Sequence, residues 1–470
     1  MFDLIMNLFT IMLHFSKIII IAISFIAILI LISMQKLKYQ HRYKKRTISF
    51  IHPKCADCGG GEKVLWLMVK SLLDYNSTNQ NTSIKINIIC SVKDTASSML
   101  NNLYTKFGID LTSHQSNFVN DVELVRVKCS ALNPSPYLTM LFQIINQFVF
   151  AYDILTNVHS DVFIDTTGLP FTYPLLKLFG KTVIAYVHYP FISHTMINDV
   201  RANVGGMHSR GALSKFKKAK ILYYEIMLLL YKICGKCVTY AMANSTWTYN
   251  HMIKCWSGNE IDKVFPPCQT MKYQGCAQNN NRNNVIVSFA QFRPEKNHMM
   301  QLSIMKKLLD KGINVELHMI GGVRNEEDIK LVDNLQNAIM SMGLSNNVKI
   351  IKNASLDVIK SEFEKAKIGI HTMKDEHFGI SIIEMMAAGL IVVAHNSAGA
   401  KEDIIAPHKG VICGYVAENE DHYVSIILNI LSTYEKIDPV KQNAVIRADS
   451  FSDEAFEAIC QKDIKKMCII

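Results

Sequence analysis

The chain has 470 residues, of which 49% are hydrophobic and 19% are charged, and its formal net charge at pH 7 is +10. This length exceeds what one hydrophobic core usually serves, so two domains are expected, and the apolar content excludes an intrinsically disordered protein. The positive charge lies in patches without a recognised nucleic-acid-binding module or interleaved aromatic residues, so no nucleic-acid partner is predicted.

The first predicted element is a membrane-spanning helix. Residues 18–34 are apolar except for Ser24 and Ser33, and they would cover roughly 26 Å of the ~30 Å bilayer core. Asp3 near the start and the lack of a small-residue cleavage site favour a retained anchor over a cleaved signal peptide. The sequence therefore predicts an N-terminal membrane anchor with a basic juxtamembrane segment in residues 1–46.

The residues after this apolar run predict its orientation. Six basic residues lie between positions 36 and 46 with no acidic residue among them, so the positive-inside rule places the bulk of the chain in the cytosol. The 12 cysteines fit that reducing compartment. The two Cys-x-x-Cys pairs, at 55–58 and 234–237, are far apart and have no histidine at ligand spacing, so no metal site is predicted.

From residue 47 the chain alternates short β-branched strands with helical segments, which is typical of a parallel sheet covered on both faces. A helix is predicted from about Glu62 to Leu73. The predicted strands are TISFIHP (47–53), IKINIICSV (84–92), VELVRV (122–127), DVFIDTT (161–167) and TVIAYVHYP (182–190).

A basic and apolar stretch in this first half leaves two interpretations open. The apolar run ILYYEIMLLLYKIC at 221–234 could be a core helix with a solvated flank. It could also be a helix at the membrane surface, with lysines near anionic headgroups. The basic residues that precede the run are Arg210, Lys215, Lys217, Lys218 and Lys220.

The strand and helix pattern lapses after Val264 into a segment that becomes polar, which marks a domain boundary. Beyond it, five strands and four helices alternate strictly, as in a doubly wound domain whose ligands bind at the carboxyl ends of the strands. The predicted strands are 284–292, 315–322, 348–352, 368–373 and 391–396, and the predicted helices are 297–310, 325–342, 356–366 and 380–388.

The fold class predicted from both halves is α/β, with two doubly wound Rossmann-like domains that face each other across a cleft. The tail from residue 451 has a helical pattern. The predicted divisions after the anchor are an N-terminal domain in residues 47–270, a linker in 271–284, a C-terminal domain in 285–450 and a C-terminal helix in 451–470.

Three consecutive glycines stand at the joint between the first predicted strand and the first helix. Gly59, Gly60 and Gly61 have no side chains, so a ligand can approach their backbone N–H groups, and the following helix adds partial positive charge at its N-terminus. An anion is the expected ligand of such a turn. The alternative is a plain tight turn, because the segment matches neither the Walker pattern nor G-x-G-x-x-G.

Two basic residues, Arg293 and Lys296 in FRPEKNH, follow the first strand of the second half. A fixed pair of cations at a strand end can hold a phosphate and stabilise the charge that builds on its oxygens. Basic residues are also common on surfaces, so an unspecialised surface pair is the alternative.

The segment DEHFGISIIEMMAAG at 375–389 places two carboxylates around a turn. Glu376 precedes Gly379, a helix is expected to begin near Ile380, and Glu384 lies eight residues after Glu376. Free N–H groups in the first turn of that helix suit a diphosphate, and the carboxylates can accept hydrogen bonds from sugar or ribose hydroxyls on either side of it. The alternative is an amphipathic surface helix with incidental glutamates.

This E-x7-E spacing, followed by MMAAGLIVVAHNSAGAKEDI, resembles the donor-binding signature of glycosyltransferase family 4, which has the GT-B fold. The resemblance covers nearly everything from residue 47 onward. Further segments are similar to the family members that add mannose from GDP-mannose to a dolichol-diphosphate-linked oligosaccharide at the cytosolic face of the endoplasmic reticulum. These segments are HPKCADCGGGEKVLW, YVHYPFISHTM, NSTWTYNHMI, VFPPC and FAQFRPEKNH.

The resemblance assigns the donor nucleotide to the C-terminal domain and the acceptor to the N-terminal domain. It implies that Glu384 holds the nucleotide ribose and that Glu376 contacts the donor sugar. Lys296 would bind the phosphates. The family usually has an arginine five residues before this lysine, where this chain has Gln291, and Arg293, two positions on, is the candidate for its role.

The remaining residue roles also follow from the resemblance. The donor-binding set is completed by the phosphate-binding loop, Phe378, Gly379 and Ile380, and by the glycine loop, which would face the donor from the N-terminal domain. His188 would lie near the reacting sugar, although a histidine at a strand end is more often a satisfied structural residue. The implied catalytic residues are His188, Lys296 and Glu376.

The implied reaction is a transfer with retention of configuration, in which two successive α-1,2-linked mannoses are added to a Man3GlcNAc2 acceptor. No D-x-D pair stands at a predicted strand end, and the acids at 326–328 fall on a helix start, where they complement the dipole. A metal-independent enzyme without a cofactor is therefore predicted. Its expected location is the endoplasmic reticulum membrane, single-pass, and other enzymes of the same glycosylation pathway are candidate partners.

Two other functions stay open. One is a related membrane transferase of family 4 with a different donor, such as UDP-N-acetylglucosamine acting on phosphatidylinositol, which nucleotide competition would distinguish. The other is a non-catalytic scaffold with the GT-B fold, against which the presence of Lys296, Glu376 and Glu384 argues.

Overall fold

The computed structural model describes residues 46–56, 59–79, 84–91, 99, 103–111, 121–127, 139–202, 217–406, 410–436 and 438–468. The predicted membrane anchor therefore lies outside the described residues, apart from Arg46. Among the helices of the described ranges, none combines the length and the apolar character that crossing a bilayer requires.

A parallel sheet of seven strands organises the first half, in the order β3-β2-β1-β4-β5-β6-β7. Its central strands are buried on both faces because helices cover them, which explains their nearly continuous apolar sequences. The strands are β1 (Thr47–Ile51), β2 (Lys85–Cys90), β3 (Val122–Arg126), β4 (Val162–Asp165), β5 (Thr182–Val187), β6 (Tyr240–Ala243) and β7 (Glu260–Lys263).

The second half contains a parallel sheet of six strands, in the order β10-β9-β8-β11-β12-β13. The five strands predicted for this half are present, and one short edge strand is added after them. The strands are β8 (Asn283–Phe289), β9 (Glu316–Gly321), β10 (Val348–Lys352), β11 (Ala366–His371), β12 (Ile391–His395) and β13 (Tyr415–Ala417).

Helices lie between most consecutive strands of the described ranges and cover both sheets, so the two predicted Rossmann-like units are confirmed. In the first half they are α1 (Gly60–Thr78), α2 (Thr139–Asn157), α3 (Tyr173–Leu178), α4 (His194–Ala202), α5 (Lys217–Gly235) and α6 (Thr246–Cys255). In the second half they are α7 (His298–Asp310), α8 (Glu326–Ser341), α9 (Leu356–Lys365), α10 (Ile380–Ala387), α11 (Glu420–Thr433), α12 (Asp438–Asp449) and α13 (Asp453–Cys468).

Both sheets reverse their strand order at one point, and this position determines where a ligand can bind. In the first sheet, β1 pairs with β2 on one side and with β4 on the other. In the second, β8 lies in the same way between β9 and β11. Connections leave such a switch point in opposite directions, which opens a crevice at the carboxyl ends of the strands.

The polar segment between the two sheets is fixed to the second half by a buried arginine. Arg282 donates hydrogen bonds to the backbone carbonyls of Cys276, Asn279, Phe363, Ala366 and Ala388, at 2.6–3.0 Å. Because each guanidinium nitrogen donates to carbonyl acceptors, hydrogen bonds compensate the burial of this charge. The predicted linker is thus a packed segment in which Tyr273 and Cys276 also belong to the core.

The C-terminal helix α13 returns to the first half and packs against α1. Lys63 pairs with Asp453, and the Lys70 Nζ lies 2.5 Å from the Glu457 carboxylate. Phe456 and Ile464 on α13 are buried in the core of the first half. The sequence predicted this helix but gave no packing partner for it, and the structure shows that it joins the two halves.

Candidate active site

The glycine loop lies at the start of α1, where three elements come close together. Gly59 is the N-cap of the helix, and its N–H donates to the Glu62 carboxylate at 2.8 Å. A Cβ on Gly60 would lie 2.7 Å from the Ile380 Cδ1, and one on Gly61 would lie 3.4 Å from the His188 Nε2. The glycines therefore let the start of α10 and a histidine approach the backbone directly.

A buried network of polar side chains supports the glycine loop. The His52 Nε2 donates to the Glu62 Oε1 at 3.3 Å, and the His52 Nδ1 lies 2.8 Å from the Thr166 Oγ1. Burial alone would raise the pKa of Glu62, but the hydrogen bond from His52 and the backbone donors hold it below its ordinary value. Glu62 is thus an anion that orients both the loop and His52.

His188 follows β5 and is held by the same network. Its Nε2 donates to the Thr166 carbonyl oxygen at 3.2 Å, which leaves the Nδ1 as a hydrogen-bond acceptor. Burial, together with the neighbouring His52, lowers the pKa of His188 to about 4. The imidazole is therefore neutral at physiological pH.

Lys296 and Glu376 form an ion pair in the second half. Lys296 ends the short turn Pro294–Lys296 after β8, and its Nζ lies 2.5 Å from the Glu376 Oε2. The His371 Nε2 donates to the same oxygen at 3.0 Å. Burial by itself would raise the pKa of Glu376, but the His371 hydrogen bond and the Lys296 charge hold it far below its ordinary value.

The loop between Glu376 and α10 is shaped by two glycines. Gly379 has φ +114°, a left-handed conformation that side chains other than hydrogen resist, and it is the N-cap of α10. The Gly399 N–H donates to the Glu376 carbonyl at 2.9 Å, and a Cβ on Gly399 would come within 2.5 Å of the His377 carbonyl oxygen. Close backbone packing thus fixes where the first N–H groups of α10 point.

Phe378 serves this loop mainly as an anchor. The side chain is buried, and its ring lies 5.6 Å from that of Phe265 and 5.5 Å from that of Phe451, measured between centroids. Phe265 belongs to the segment after the first sheet, and Phe451 precedes α13. The contacts of Phe378 therefore tie the loop to both ends of the second half.

Glu384 lies one turn inside α10 and faces the cleft. Burial raises the pKa of its carboxyl to about 7, against the opposing effect of the Lys63 and Lys272 charges. This carboxyl therefore titrates near neutral pH. Its neighbour Glu376, eight residues earlier, is fully ionised at the same pH because it has direct cationic and hydrogen-bonding partners.

These elements surround a cavity of about 590 Å³ between the two halves. The predicted site residues that line it are Gly59, Gly60, Gly61, His188, Lys296, Glu376, Phe378, Gly379, Ile380 and Glu384. Arg293, which the structure describes, does not belong to the cavity lining. Gln291 and Arg324 do, so the loop after β9 brings in a cation that local sequence patterns did not indicate.

An aromatic cluster closes one side of the cavity and contains residues from both halves. The ring centroids of Tyr189 and His377 are 4.1 Å apart, and the Trp247 ring lies nearly parallel to Tyr189 at 5.6 Å. Tyr189 and His377 line the cavity. Sequence analysis missed this cluster, because the three residues lie far apart along the chain and carry no shared motif.

The described residues contain no group of three or more histidine, cysteine or acidic side chains placed to hold a metal ion. Cys234 and Cys237, the second Cys-x-x-Cys pair, are free thiols. Cys58, the second member of the first Cys-x-x-Cys pair, lies outside the described residues.

Comparisons with known proteins give consistent results for the two halves. A family model described as ALG11 mannosyltransferase N-terminus matches residues 45–256, and a model described as Glycosyl transferases group 1 matches residues 275–446. A Homo sapiens protein is 34% identical over 434 residues, covering 89% of this chain and 87% of its own length. A Dictyostelium discoideum protein is 33% identical over 438 residues, with 90% and 85% covered. Both are named GDP-Man:Man(3)GlcNAc(2)-PP-Dol alpha-1,2-mannosyltransferase.

Solved structures share the fold at lower sequence identity. A glycosyltransferase from Rickettsia africae ESF-5 has a TM-score of 0.59 at 17% identity, covering 90% of this chain and 99% of its own. Anabaena Alr3699/HepE in complex with UDP and glucose has a TM-score of 0.55 at 14% identity, covering 89% and 98%. The two-domain architecture is thus that of the GT-B glycosyltransferases.

Proposed function

The chain belongs to the GDP-Man:Man(3)GlcNAc(2)-PP-Dol alpha-1,2-mannosyltransferase family, and we propose that it transfers mannose from GDP-mannose to dolichol-diphosphate-linked Man3GlcNAc2. The linkage formed is α-1,2, the configuration of the donor is retained, and two mannoses are added in succession. The observation that carries this proposal is the cavity in which Lys296, Glu376, Glu384 and the amides of Gly379 and Ile380 converge.

The donor lies in this cavity with its diphosphate against the start of α10. Glu384 accepts hydrogen bonds from the ribose hydroxyls, and Glu376 accepts them from hydroxyls of the mannose. The helix N-terminus and Lys296 stabilise the negative charge that builds on the leaving diphosphate. Lys296 forms an ion pair with Glu376. Its Nζ therefore lies between the carboxylate that is proposed to bind the sugar and the proposed position of the phosphates.

The first half supports the same step from the opposite side of the cleft. The glycine loop brings bare backbone N–H groups toward the donor, and neutral His188 offers its Nδ1 to a sugar hydroxyl without adding positive charge. The acceptor oligosaccharide enters on this side. The Lys63–Asp453 pair, through which α13 contacts the first half, lies near Glu384.

The proposed location is the endoplasmic reticulum membrane, with a single N-terminal span in residues 1–46 and the catalytic domains in the cytosol. A lipid-linked acceptor requires an enzyme that works at a bilayer surface, and the apolar run at 18–34 with its basic flank supports the anchor. Other enzymes of the same glycosylation pathway are candidate partners at that membrane.

The test of the reaction uses membranes that contain the full chain and a synthetic lipid-diphosphate Man3GlcNAc2. GDP-mannose or UDP-N-acetylglucosamine is supplied, and the mass of the product is followed. The expected result is a gain of two hexoses from GDP-mannose and no gain from the uridine nucleotide. A folded protein that adds nothing from GDP-mannose, or that uses the uridine donor instead, would contradict the proposal.

Transfer is expected to continue at an unchanged rate in EDTA. Lys296 and the start of α10 supply the charge stabilisation that a divalent ion provides in other nucleotide-sugar enzymes. The measurement is the initial rate of mannosyl transfer after chelation and after manganese is added back. A rate that falls in EDTA and returns with manganese would show that a metal participates.

Arg324→Ala is expected to weaken GDP-mannose binding about fivefold, because an exposed cation near a diphosphate is worth up to about 1 kcal/mol. Arg324 lines the cavity, whereas Arg293 does not, so Arg293→Ala is the matched control and should leave affinity nearly unchanged. Titration calorimetry measures both. A second substitution, Gln291→Arg, should restore part of the lost affinity by placing a cation on the facing loop. A larger loss of affinity in Arg293→Ala than in Arg324→Ala would show that Arg293, and not Arg324, contacts the diphosphate.

A further inference from the structure

Asn244 is a buried polar residue that lines the cavity between the two halves. It directly follows β6 and is only 5% exposed. Its backbone N–H donates to the Val187 carbonyl oxygen at 3.2 Å, at the end of the neighbouring β5. The pairing of β5 with β6 therefore fixes Asn244 at the carboxyl edge of the first sheet, where ligands of such sheets bind.

The side-chain amide of Asn244 has one end that is held by the protein and one end that is available. The Ser245 hydroxyl donates to its Oδ1 at 3.1 Å. Its Nδ2 has no hydrogen-bond partner in the described part of the chain, and it is not among the atoms there that are enclosed without one. Because buried polar groups are normally hydrogen-bonded, these N–H groups are available to a ligand in the cavity.

The strand order places Asn244 on the side of the cavity away from the glycine loop. The glycine loop follows β1, His188 follows β5 and Asn244 follows β6, and the sheet order in this region is β1-β4-β5-β6. Val187 pairs with Ala243, so His188 and Asn244 leave the sheet side by side, at the spacing of adjacent strands, about 4.8 Å. In the proposed site the donor lies between the glycine loop and α10. Asn244 therefore faces the space beyond the transferred sugar.

The surroundings of Asn244 favour an uncharged ligand group over a phosphate. The helix α6 begins two residues later, but its N-terminus already has an anionic partner, because the Thr246 N–H donates to the Asp403 Oδ2 at 2.8 Å. The Lys263 Nζ lies 3.2 Å from the Thr246 Oγ1 and faces the same carboxylate. With this helix terminus occupied, Asn244 offers neutral N–H donors, which suit the oxygen of a sugar hydroxyl.

The aromatic cluster of Tyr189, Trp247 and His377 lies beside Asn244. Trp247 stands three residues further along the chain, in the first turn of α6, and its ring centroid is 5.2 Å from that of His377. Tyr189 and His377 line the cavity together with Asn244. An aromatic wall with a few placed hydrogen-bonding groups is the usual composition of a specific small-ligand site.

We propose that Asn244 belongs to the acceptor subsite, where its Nδ2 donates a hydrogen bond to a hydroxyl of the mannose that receives the new bond. The ring of this mannose lies against the wall that Tyr189 and His377 form. The hydrogen bond orients the acceptor so that its 2-hydroxyl faces the donor. This inference rests on the proposed function, because it names where the second substrate of that reaction binds.

The test compares four synthetic lipid-diphosphate Man3GlcNAc2 acceptors in the parent protein and in Asn244→Ala. One acceptor is complete, and the others each lack one hydroxyl of the receiving mannose, at carbon 3, 4 or 6. The rate of the first mannose addition gives kcat/KM for each acceptor, and calorimetry gives the affinity for GDP-mannose. Asn250→Ala is the matched control, because Asn250 lies on α6 and does not belong to the cavity lining.

With the complete acceptor, Asn244→Ala should lower kcat/KM about tenfold, the usual effect of losing one neutral hydrogen bond in a buried site. The affinity for GDP-mannose should stay the same. In the parent protein, one of the deoxy acceptors should show a comparable loss. That loss should disappear in Asn244→Ala, because the variant no longer has the donor that the missing hydroxyl would meet. Asn250→Ala should behave as the parent with every acceptor.

Two results would overturn the proposal. If each deoxy acceptor loses the same fraction of its rate in both proteins, Asn244 contacts no hydroxyl of this mannose. If Asn244→Ala weakens GDP-mannose binding as strongly as it lowers kcat/KM, Asn244 belongs to the donor site.

A second variant, Asn244→Asp, gives the same comparison if the alanine variant does not fold. It keeps the shape of the side chain and the acceptor for the Ser245 hydroxyl, but it has no N–H group to donate. A parent protein that uses none of the acceptors would refute the proposed function and this inference with it, whereas equal losses in an active parent and its variant would refute the inference alone.

Discussion

Lys296→Ala is expected to lower kcat for mannosyl transfer by about two to three orders of magnitude, the usual effect of removing one positioned donor from a developing anion. Lys296 is the lining lysine that already contacts a site carboxylate, at 2.5 Å from Glu376. The loss should appear at saturating donor, because the negative charge on the diphosphate increases as the bond to mannose breaks.

The same substitution also removes the ion-pair partner of Glu376. Both side chains are mostly buried, so we expect a loss of unfolding free energy of about 1–3 kcal/mol, less than for a fully enclosed pair because the cleft admits water. His371 continues to donate to the Glu376 carboxylate. Comparison with Lys296→Ala combined with Glu376→Gln separates the two effects, since the double variant should recover stability without recovering turnover.

The control for this prediction is Lys306→Ala. Lys306 also forms an ion pair, with 2.7 Å between its Nζ and the Asp310 Oδ1, but it lies on the exposed face of α7. Its removal should change neither kcat nor stability measurably. If Lys296→Ala keeps near-normal turnover at saturating GDP-mannose, the charge on the leaving group is stabilised by other groups and the assigned role is wrong.

Most of the fold could be predicted from the sequence because its strands are buried on both faces. Such strands read as continuous apolar runs, as in IVVAH of β12. The three missed strands are short, and β6, with the sequence YAMA, was missed although its four residues are all buried. In β7 the sequence EIDK is half-exposed at a sheet edge, and β13 has three residues, too few for periodicity to be recognised.

The candidate site was predictable for a related reason. The glycine loop, Lys296 and Glu376 each follow a strand, and the carboxyl ends of parallel strands meet at one edge. Arg324 also follows a strand, but an arginine after Gly321 and Gly322 has no local pattern to separate it from a solvated side chain. His52 and His371 were missed because their role lies in hydrogen bonds to Glu62 and Glu376, which only the folded structure brings within reach.

The glycines of the glycine loop have two structural explanations. A Cβ on Gly60 would come within 2.7 Å of the Ile380 Cδ1, the flexible end of a side chain across the cleft, and a Cβ on Gly61 would lie at contact distance, 3.4 Å, from the His188 Nε2. The sequence suggested a phosphate as the reason for these glycines. The structure adds that the two halves approach each other at this loop, where Gly60 of the first half faces Ile380 of the second.

We expect Glu384 to make GDP-mannose binding dependent on pH, with an affinity that rises about tenfold between pH 6 and pH 8. With a pKa raised to about 7 by burial, only about a tenth of the carboxyl is ionised at pH 6, and most of it is at pH 8. In its proposed role, the ionised form accepts hydrogen bonds from both ribose hydroxyls. Calorimetric titration with GDP-mannose is the suitable measurement, because its diphosphate does not titrate in this range.

Glu384→Gln is the matched variant, since it keeps the shape of the side chain and cannot ionise. It should bind the donor about tenfold more weakly at pH 8 and nearly as well as the parent at pH 6, so that its affinity no longer changes with pH. A parallel pH profile in both proteins would show that another group titrates and would remove Glu384 from the ribose site.

The stability of the free protein should change in the opposite direction. The pKa of Glu384 is higher in the folded chain, about 7, than in the unfolded chain, about 4.5, so the folded state binds more protons between these values. The favourable contribution of the protonated carboxyl is complete below pH 4.5 and is lost as the pH rises through 7. At pH 8 Glu384→Gln should therefore unfold at a higher temperature than the parent, by the equivalent of about 1–3 kcal/mol. Weaker donor binding together with greater stability would identify Glu384 as a group retained for the ligand at the expense of the fold.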